Sequence, residues 1–368
     1  MNKKRTICFI TTGCVTFRTR LFELLEKNFG CMFYFHGTSR KYNCDYGELK
    51  WYRQIKPSFQ SVIKFAAFDI WIKCINNPVY VFWLLLWAKI LHKKFILWTG
   101  TWYLPNTLSG KLRRIFYKGL YQGSDAIVTY GNHVKRYLVE SEKIKDDKIF
   151  CAYQVVDNDK FNRKVSTKEI DNVRKRLDLP RNKEIILCVA RLENEKGVIE
   201  VLDSYYRMNN HEIALVYVGE GKLKEKLQKR IKKLNLKNVR FTGAIPNNSL
   251  VPFYAASSIM CLFSKTSKFS NKEPWGVVLN EAMNQGVPCI ASDSVGAAVG
   301  GLVRDGYNGF IVPEGDIDAL RKTIEYYFEN RSLQTGMRKN CKETISSWTY
   351  DFMIKGFSNA IHHVDSDN

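Results

Sequence analysis

Short apolar segments of strand length alternate with segments of helical periodicity along most of the chain. Residues 4–12 (KRTICFITT) form the first apolar segment, which runs into Gly13, and residues 17–28 (FRTRLFELLEKN) have helical spacing. Further segments of strand length are CMFYFH (31–36), FDIWIKCI (68–75), FILW (95–98) and AIVT (126–129). Strands that alternate with helices form parallel sheets covered by helices. The sequence therefore predicts an α/β fold.

The same alternation begins again after a polar stretch at residues 157–164. Its strand-like segments are EIILCVA (184–190), ALVYVG (214–219), VRFT (239–242), IMCLF (259–263) and PCIAS (288–292). A chain of 368 residues is also about twice the length of an ordinary domain. We therefore expect two Rossmann-like, doubly wound domains, residues 1–165 and 166–347, facing a central cleft that holds the ligand. An amphipathic segment at about residues 348–362 is expected to pack back on the first domain.

The cysteines and the longest apolar run bear on where the protein works. Four of the ten cysteines lie inside apolar runs, and no CxxC pair occurs, which argues against disulfides, a zinc site and a redox dithiol. The run at residues 79–88 (VYVFWLLLWA) is shorter than the roughly 20 residues of a spanning helix, so it predicts a buried helix. The start of the chain lacks an apolar stretch long enough for a signal peptide. We expect a cytoplasmic protein, with a peripheral position at the inner face of the plasma membrane left open.

Positive charge is concentrated in the first half of the sequence. The formal net charge is +21, and residues 1–165 hold 28 basic and 12 acidic residues. This asymmetry points to an anionic partner, such as a phospholipid surface, a lipid diphosphate or nucleic acid. An ordinary basic surface without such a partner is the alternative. In residues 111–120 (KLRRIFYKGL), cations alternate with apolar side chains, which suits a helix lying on anionic lipid. The alternative is the solvated face of a packed helix.

Two cations follow the first strand-like segment of the second series. Arg191 and Lys196 lie in ARLENEKG (190–197), between that segment and a predicted helix. Arginine grips phosphate oxygens with two hydrogen bonds, lysine adds a point charge, and the free N–H groups of a helix start add partial positive charge. The arrangement suits a diphosphate. Taken alone, an arginine and a lysine five residues apart in a loop are usually ordinary solvated charges.

Two carboxylates occupy a second polar stretch, between the segments IMCLF and PCIAS. Glu273 lies just before a predicted helix and Glu281 about two turns along it, with Gly276 in the turn between them. Carboxylates accept hydrogen bonds from sugar hydroxyls, so the two acids could hold separate hydroxyls of one extended ligand. A solvated helix start is the alternative interpretation.

Together these stretches resemble the C-terminal domain of the family 4 retaining glycosyltransferases, which have the GT-B fold. The resemblance covers residues 184–330 and is carried by ARLENEKGV (190–198), VGEGKLKEKL (218–227), VRFTGAIPNNSL (239–250), EPWGVVLNEAMNQGVPCIASDSVG (273–296) and VRDGYNGFIVPEGDIDAL (303–320). It implies that Arg191 and Lys196 neutralise the donor diphosphate. It also implies that Glu273 contacts the transferred sugar and that Glu281 holds the ribose.

The resemblance implies further contacts with the donor. The backbone amides of Gly276, Val277 and Val278 would meet the donor, Ile245 would lie against the base, and Gly13 would approach the donor phosphate. The first domain matches the family only in outline. Where the family often places a histidine near the transferred sugar, this chain has Thr99 or Gly100, and His133 is the nearest nominal substitute.

By this resemblance the protein is a retaining, metal-independent hexosyltransferase that uses no cofactor besides its nucleotide-sugar donor. A UDP-sugar is favoured on frequency alone, and a lipid-linked or polysaccharide acceptor on the basic first half. Asp365-Ser366-Asp367 looks like a metal-binding triplet but lies in a polar tail. A GT-B epimerase or phosphorylase would need a histidine-rich or cofactor site that the sequence does not display. A nucleic-acid-binding protein would need a recognition motif, and none is found.

Overall fold

The chain forms two compact units. A computed structural model describes residues 5–13, 18–36, 52–56, 58, 60–266 and 272–366. The first unit comprises Met1–Gln154 with Tyr350–Asn368, and the second comprises Val155–Thr349. The structure divides the chain between Gln154 and Val155, whereas the sequence predicted a boundary between residues 165 and 166.

The first unit is built on a parallel sheet of seven strands among the described residues, in the order β3-β2-β1-β4-β5-β6-β7. Its central strands are buried along their whole length, as expected for a sheet covered on both faces. The strands are β1 (Ile7–Thr11), β2 (Met32–Phe35), β3 (Tyr52–Gln54), β4 (Ile70–Cys74), β5 (Lys94–Thr99), β6 (Ala126–Thr129) and β7 (Ile149–Cys151).

Helices connect these strands and cover the sheet. Asn77 and Thr107 cap two of them, because their side-chain oxygens accept hydrogen bonds from backbone N–H groups in the first turn. The helices are α1 (Thr19–Phe29), α2 (Ser61–Phe65), α3 (Pro78–Ile90), α4 (Leu108–Gly123) and α5 (Asn132–Arg136), which continues into a π-helical turn at Tyr137–Ser141.

Helix α3 differs from its sequence-based prediction. The apolar run was expected to form a buried helix, and one face of α3 is indeed buried, with Val81 and Leu84 inaccessible to solvent. The other face is open: Val79 is 72% exposed and Ile90 is 53% exposed. The prediction is therefore wrong for that face, because a helix that is apolar all round gives no periodic signal to show which side faces the core. In the described part of the chain, no helix has the length and apolar character needed to cross a membrane.

The second unit repeats the design with a parallel sheet of six described strands, in the order β10-β9-β8-β11-β12-β13. The strands are β8 (Glu184–Val189), β9 (Ile213–Val218), β10 (Val239–Phe241), β11 (Ile259–Leu262), β12 (Cys289–Ser292) and β13 (Gly309–Val312). The helices are α6 (Asn158–Phe161), α7 (Thr167–Arg176), α8 (Val198–Met208), α9 (Lys224–Lys233), α10 (Val251–Ala255), α11 (Val278–Asn284), α12 (Gly296–Val299), α13 (Ile317–Glu329) and α14 (Arg331–Ser346). Because the strands are parallel, the loops that follow them meet along one side, here called the carboxyl edge.

The last helix, α15 (Tyr350–Ser366), packs on the first unit. Phe357 is fully buried, and its ring centroid lies 6.1 Å from that of Phe9 on β1 and 5.3 Å from that of Trp98 on β5. At Gly356, a Cβ atom would lie 2.2 Å from the carbonyl oxygen of Cys151, so only glycine allows the helix to approach β7 this closely. The first unit thus consists of two segments that are distant in the sequence.

Candidate functional site

The carboxyl edge of the second sheet brings Lys196 and Glu273 together. The two side chains form an ion pair and are only 15% and 16% exposed. The hydroxyl of Ser264 donates to the same carboxylate oxygen, Oε2, at 3.3 Å. The backbone of Glu273 is held as well, because its N–H donates to the carbonyl of Ser294 and its carbonyl accepts from the N–H of Gly296, both at 3.0 Å. The carboxylate is therefore fixed from both its side chain and its backbone.

Two glycines allow the loops at this edge to come so close. Gly197 has φ 63°, and a Cβ atom there would lie 1.9 Å from the carbonyl oxygen of Phe263. Gly276 has φ 94°, and its Cβ would lie 2.7 Å from Cδ2 of Leu262. Any other residue would clash and adopt a strained backbone. These turns place Lys196 and Glu273 directly above the end of β11.

Arg191 lies at the same edge but outside this pair. Its side chain is 66% exposed, and its ion-pair partner among the described residues is Glu195, with 3.0 Å between Nη2 and Oε1. The structure therefore places Arg191 where a solvent-borne anion can reach it, and places Lys196 in a more enclosed position.

The turn into helix α11 offers unused hydrogen-bond donors. Val277 is the N-cap residue, and its side chain caps nothing. Within the described part of the chain, the N–H groups of Gly276, Val277 and Val278 have no acceptor. N–H groups at a helix start point outward along the axis and attract negatively charged groups. The turn could therefore receive an anionic or hydroxyl-bearing ligand beside Glu273.

Glu281 has quite different surroundings on the same helix. It is 2% exposed and accepts hydrogen bonds from the hydroxyl of Tyr254 at 2.6 Å and from Nδ2 of Asn247 at 2.9 Å. The amide oxygen of Asn247 accepts in turn from Nζ of Lys160 at 2.8 Å. Burial raises the pKa of the Glu281 carboxyl to about 7, although the two donors and the charge of Lys160 oppose the rise. This acid is therefore poised to change its protonation near neutral pH.

Sequence reasoning gave no role to the residues that hold Glu281. Asn247 lies in a 3-10 turn, Asn247–Ser249, and Tyr254 lies on α10, both between β10 and β11. Asn247 belongs to the stretch VRFTGAIPNNSL, but both residues meet Glu281 only through tertiary packing, which the sequence does not display. The one available signal was topological: polar residues that follow β10 must lie near the carboxyl edge.

Ile245 lies in the loop after β10, at the same edge. Its side chain is half-buried. The loop is attached to its neighbour, because the N–H of Gly219 after β9 donates to the carbonyl of Gly243 at 2.9 Å. An apolar surface is thus present beside the polar groups of this edge.

In the first unit, Gly13 is buried directly after β1, and residues 14–17 lie outside the described residues. Thr99 ends β5, and its hydroxyl accepts from the N–H of Thr101 at 3.1 Å. His133 is 4% exposed on α5, with its ring centroid 5.2 Å from that of Trp102. The histidine is thus part of the packed interior of this unit.

Arg18 was not singled out in the sequence, yet it lies over this part of the first unit. Its guanidinium carbon is 4.4 Å from the centroid of Trp98, and Nη2 donates to the hydroxyl of Tyr130 at 2.6 Å. Both aromatic residues lie at the ends of neighbouring strands. A cation is therefore held at the carboxyl edge of the first sheet as well.

No group of three His, Cys, Asp or Glu side chains is arranged to hold a metal ion in the ranges that the structure describes. Of the acidic tail triplet, Asp365 forms an ion pair with Arg5, and Asp367 lies outside the described residues.

Residues 169–344 match the family model described as glycosyl transferases group 1. The second unit is therefore similar to the group 1 glycosyl transferases. The match includes all the site residues of this unit named above except Lys160.

Two curated relatives share part of the sequence of this chain. The lipopolysaccharide core biosynthesis glycosyltransferase LpsE of Rhizobium meliloti is 28% identical over 173 residues, which is 47% of each chain. Trehalose synthase of Thermococcus litoralis is 28% identical over 245 residues, 62% of this chain and 56% of that protein. The chain thus spans about half the length of the curated relatives it matches.

Known structures share the fold of both units. HepE of Anabaena, crystallised in complex with UDP, matches with a TM-score of 0.80 and 15% identity over 97% of this chain and 99% of that chain. The predicted fold class, two Rossmann-like domains with parallel sheets as in GT-B glycosyltransferases, is confirmed.

Proposed function

We propose that the protein is a glycosyltransferase that moves a hexose from a nucleotide sugar to a lipid-linked or polysaccharide acceptor with retention of configuration. The observation that carries the proposal is the ion pair of Lys196 with Glu273 beside the unused amides of the turn at Gly276. This edge contains a cation and helix-start N–H groups, which suit phosphate oxygens, and an acid, which suits sugar hydroxyls. A sugar diphosphate presents both kinds of group.

The ion pair has a simple role in this proposal. Without donor, Glu273 neutralises Lys196. When the donor binds, its diphosphate replaces the carboxylate as the partner of Lys196, and Arg191 adds a second cation from its exposed position. Glu273 is then available to accept hydrogen bonds from hydroxyls of the transferred sugar. Charge that grows on the leaving diphosphate is stabilised by the same cations, which lowers the barrier as well as the dissociation constant.

The remaining donor contacts are assigned along the same edge. Glu281 accepts from the ribose hydroxyls, Ile245 lies against the base, and the amides of Val277 and Val278 meet the donor. For Gly13, contact with a donor phosphate stays a prediction of the family resemblance.

The proposed reaction uses neither a metal ion nor a further cofactor. The leaving diphosphate itself takes the proton of the acceptor hydroxyl, so no protein base is required. A UDP-sugar is the favoured donor, supported by the structure of HepE with UDP-glucose. The lipopolysaccharide core biosynthesis glycosyltransferase among the relatives supports a lipid-linked acceptor. A cytoplasmic protein, peripheral at the inner face of the plasma membrane, completes the proposal.

Hydrolysis of nucleotide sugars tests this proposal without knowledge of the acceptor. The protein is incubated with a panel of UDP-sugars and GDP-sugars, and released nucleotide is measured. We expect turnover with at least one donor and a loss of about 100-fold or more in kcat/KM for Lys196→Ala, as for removal of other groups that stabilise transition-state charge.

The matched control is Arg230→Ala. It breaks an ion pair between α9 and α8 of the same unit, where Nε of Arg230 lies 2.7 Å from Oδ1 of Asp203. This variant should keep wild-type turnover. If Lys196→Ala turns over the donor as fast as Arg230→Ala does, the assigned site is wrong.

A further inference from the structure

The first unit exposes an unusual number of large apolar side chains. Of the eleven exposed large hydrophobic residues in the described part of the chain, eight lie on helices α2, α3 and α4. They are Ile63, Val79, Phe82, Leu86, Ile90, Leu108, Leu112 and Ile115, with exposures from 44% to 78%. Single exposed apolar residues are ordinary, but a cluster on neighbouring helices indicates a surface that binds something.

These residues form one surface, here called the apolar face. On α3 the exposed residues recur every three or four positions, as do those on α4, so each set lines one side of its helix. The rings of Phe82 on α3 and Phe116 on α4 have centroids 5.2 Å apart, which joins the two helices. The hydroxyls of Ser61 and Tyr80, 3.0 Å apart, join α2 to α3.

Positive charge predominates on the stretch of chain that forms the apolar face, although Lys89, Lys93 and Arg114 pair with acids outside that stretch. Between Asp69 and Asp125 the sequence contains eight lysine and arginine residues and no acidic residue. On α4, Lys111 and Arg113 are exposed beside Leu112. Long basic side chains beside an exposed apolar stripe are the pattern of helices that lie in the interface of an anionic bilayer.

We propose that the apolar face docks the first unit on an anionic lipid bilayer, with the exposed residues of α3 and α4 entering the interface and the cations contacting lipid phosphates. Charge decides the occupant: a second copy of this chain would bring two cationic surfaces together, whereas anionic lipid neutralises them. The inference deepens the proposed function, on which its link to a lipid-linked acceptor rests. The proposed lipid-binding surface includes α3, which the sequence analysis predicted to be a buried helix, as well as the basic helix α4.

Co-sedimentation with vesicles tests the docking directly. Wild-type protein is mixed at low salt with vesicles of phosphatidylcholine alone or with phosphatidylglycerol added, and the bound fraction is measured. We expect binding to the anionic vesicles only. Leu112→Ser combined with Ile115→Ser should weaken it about tenfold or more, and Leu86→Ser combined with Ile90→Ser should have a similar effect.

Matched controls come from the second unit. Tyr206 and Tyr326 are 46% and 52% exposed there, and changing both to Ser should leave vesicle binding unchanged. For the charges, Lys111→Glu with Arg113→Glu should weaken binding roughly 25-fold or more, since each basic residue near the surface contributes about fivefold. The exposed pair on α9, Lys232→Glu with Lys233→Glu, is the control for an equal change in net charge.

The outcomes separate docking from catalysis. Donor hydrolysis in solution does not involve the apolar face, so the face variants should keep it, which also shows that they fold. Equal binding to neutral and anionic vesicles, or equal loss in face and control variants, would overturn the proposal. A concentration-dependent dimer that is lost in the face variants would overturn it too, by identifying a second copy as the occupant. If no donor in the panel is hydrolysed, the proposed function is wrong, but the docking result is unaffected.

Discussion

At the scale of single residues, the two acids of the candidate site carry the same carboxyl group in different surroundings, which suit them to different roles. Glu273 faces a cation and is partly open to solvent, so its charge is compensated. Glu281 is enclosed, and its hydrogen-bond donors among the described residues, Tyr254 and Asn247, are both neutral. Such bonds stabilise the carboxylate less than a cation would, and burial therefore dominates its pKa.

The raised pKa of Glu281 predicts a specific dependence of stability on pH. Between its ordinary value of 4.5 and about 7, the folded protein retains a proton that the unfolded chain has released. The free energy of unfolding therefore falls as the pH rises through this window, by about 3 kcal/mol for this one group. The Glu281→Gln variant cannot titrate and should lack this contribution.

Urea unfolding of both proteins at several pH values measures the effect. The wild-type free energy of unfolding, minus that of the variant, should decrease steadily from pH 4.5 to 7 and level off above it. A difference that stays constant across the window would show that Glu281 does not titrate there. Glu273→Gln is the control, since Glu273 is paired with Lys196.

At the scale of elements, the site depends on loops that approach the end of β11 more closely than a side chain would allow. Gly197 is the sharper case, because its Cβ would meet a backbone oxygen, which cannot rotate away. The residue next to it in sequence is Lys196. The turn therefore sets both the packing of the loop and the position of the cation.

Replacing this glycine distinguishes the cost of a steric clash from the cost of a positive φ. Gly197→Ala should destabilise the protein by about 3 kcal/mol or more, because it adds a backbone clash to the cost of positive φ. Gly315→Ala is the matched control: Gly315 has φ 77° and open space around its Cβ position, so only about 1 kcal/mol is expected. Chemical denaturation measures both, and equal losses would contradict the clash.

The sequence predicted elements better than it predicted contacts. Long apolar segments such as those that form β1, β8 and β9 were found because burial on both faces makes them uniformly apolar. The strands β3, β7 and β13 were missed, because each lies at the edge of its sheet and lacks the continuous burial of the central strands. The pairing of Lys196 with Glu273 is a property of the sheet order, which places the ends of β8 and β11 side by side. The hydrogen bonds of Glu281 depend on helix packing, which leaves no local signal.

At the scale of the whole molecule, the first unit is completed by a helix from the other end of the sequence. Helix α15 contributes Phe357 to a cluster with Phe9 and Trp98, so the core of this unit joins residues from both segments. The second unit is one continuous segment with its own core. A defect in α15 should therefore affect the two units unequally.

Phe357→Ala tests this inequality. Removal of a fully buried ring should destabilise the first unit by about 3–5 kcal/mol and leave the second unit unchanged. Hydrogen exchange followed by mass spectrometry should show faster exchange in peptides from β1 and β5, with β8 and β9 as before. Phe352→Ala, at a 39% exposed position of the same helix, should have a much smaller effect. Equal acceleration in both units would contradict the division.

Because the first unit is made of two separate segments of the chain, it cannot be completed until its second segment has been synthesised. A ribosome that adds 5–20 residues per second spends roughly 10–40 s on residues 155–349 after the last strand of the first sheet has been made. Throughout that interval the side of Phe9 and Trp98 that contacts Phe357 lacks this partner from α15. The nascent first unit is then a client for chaperones, while the second unit can fold as soon as it emerges.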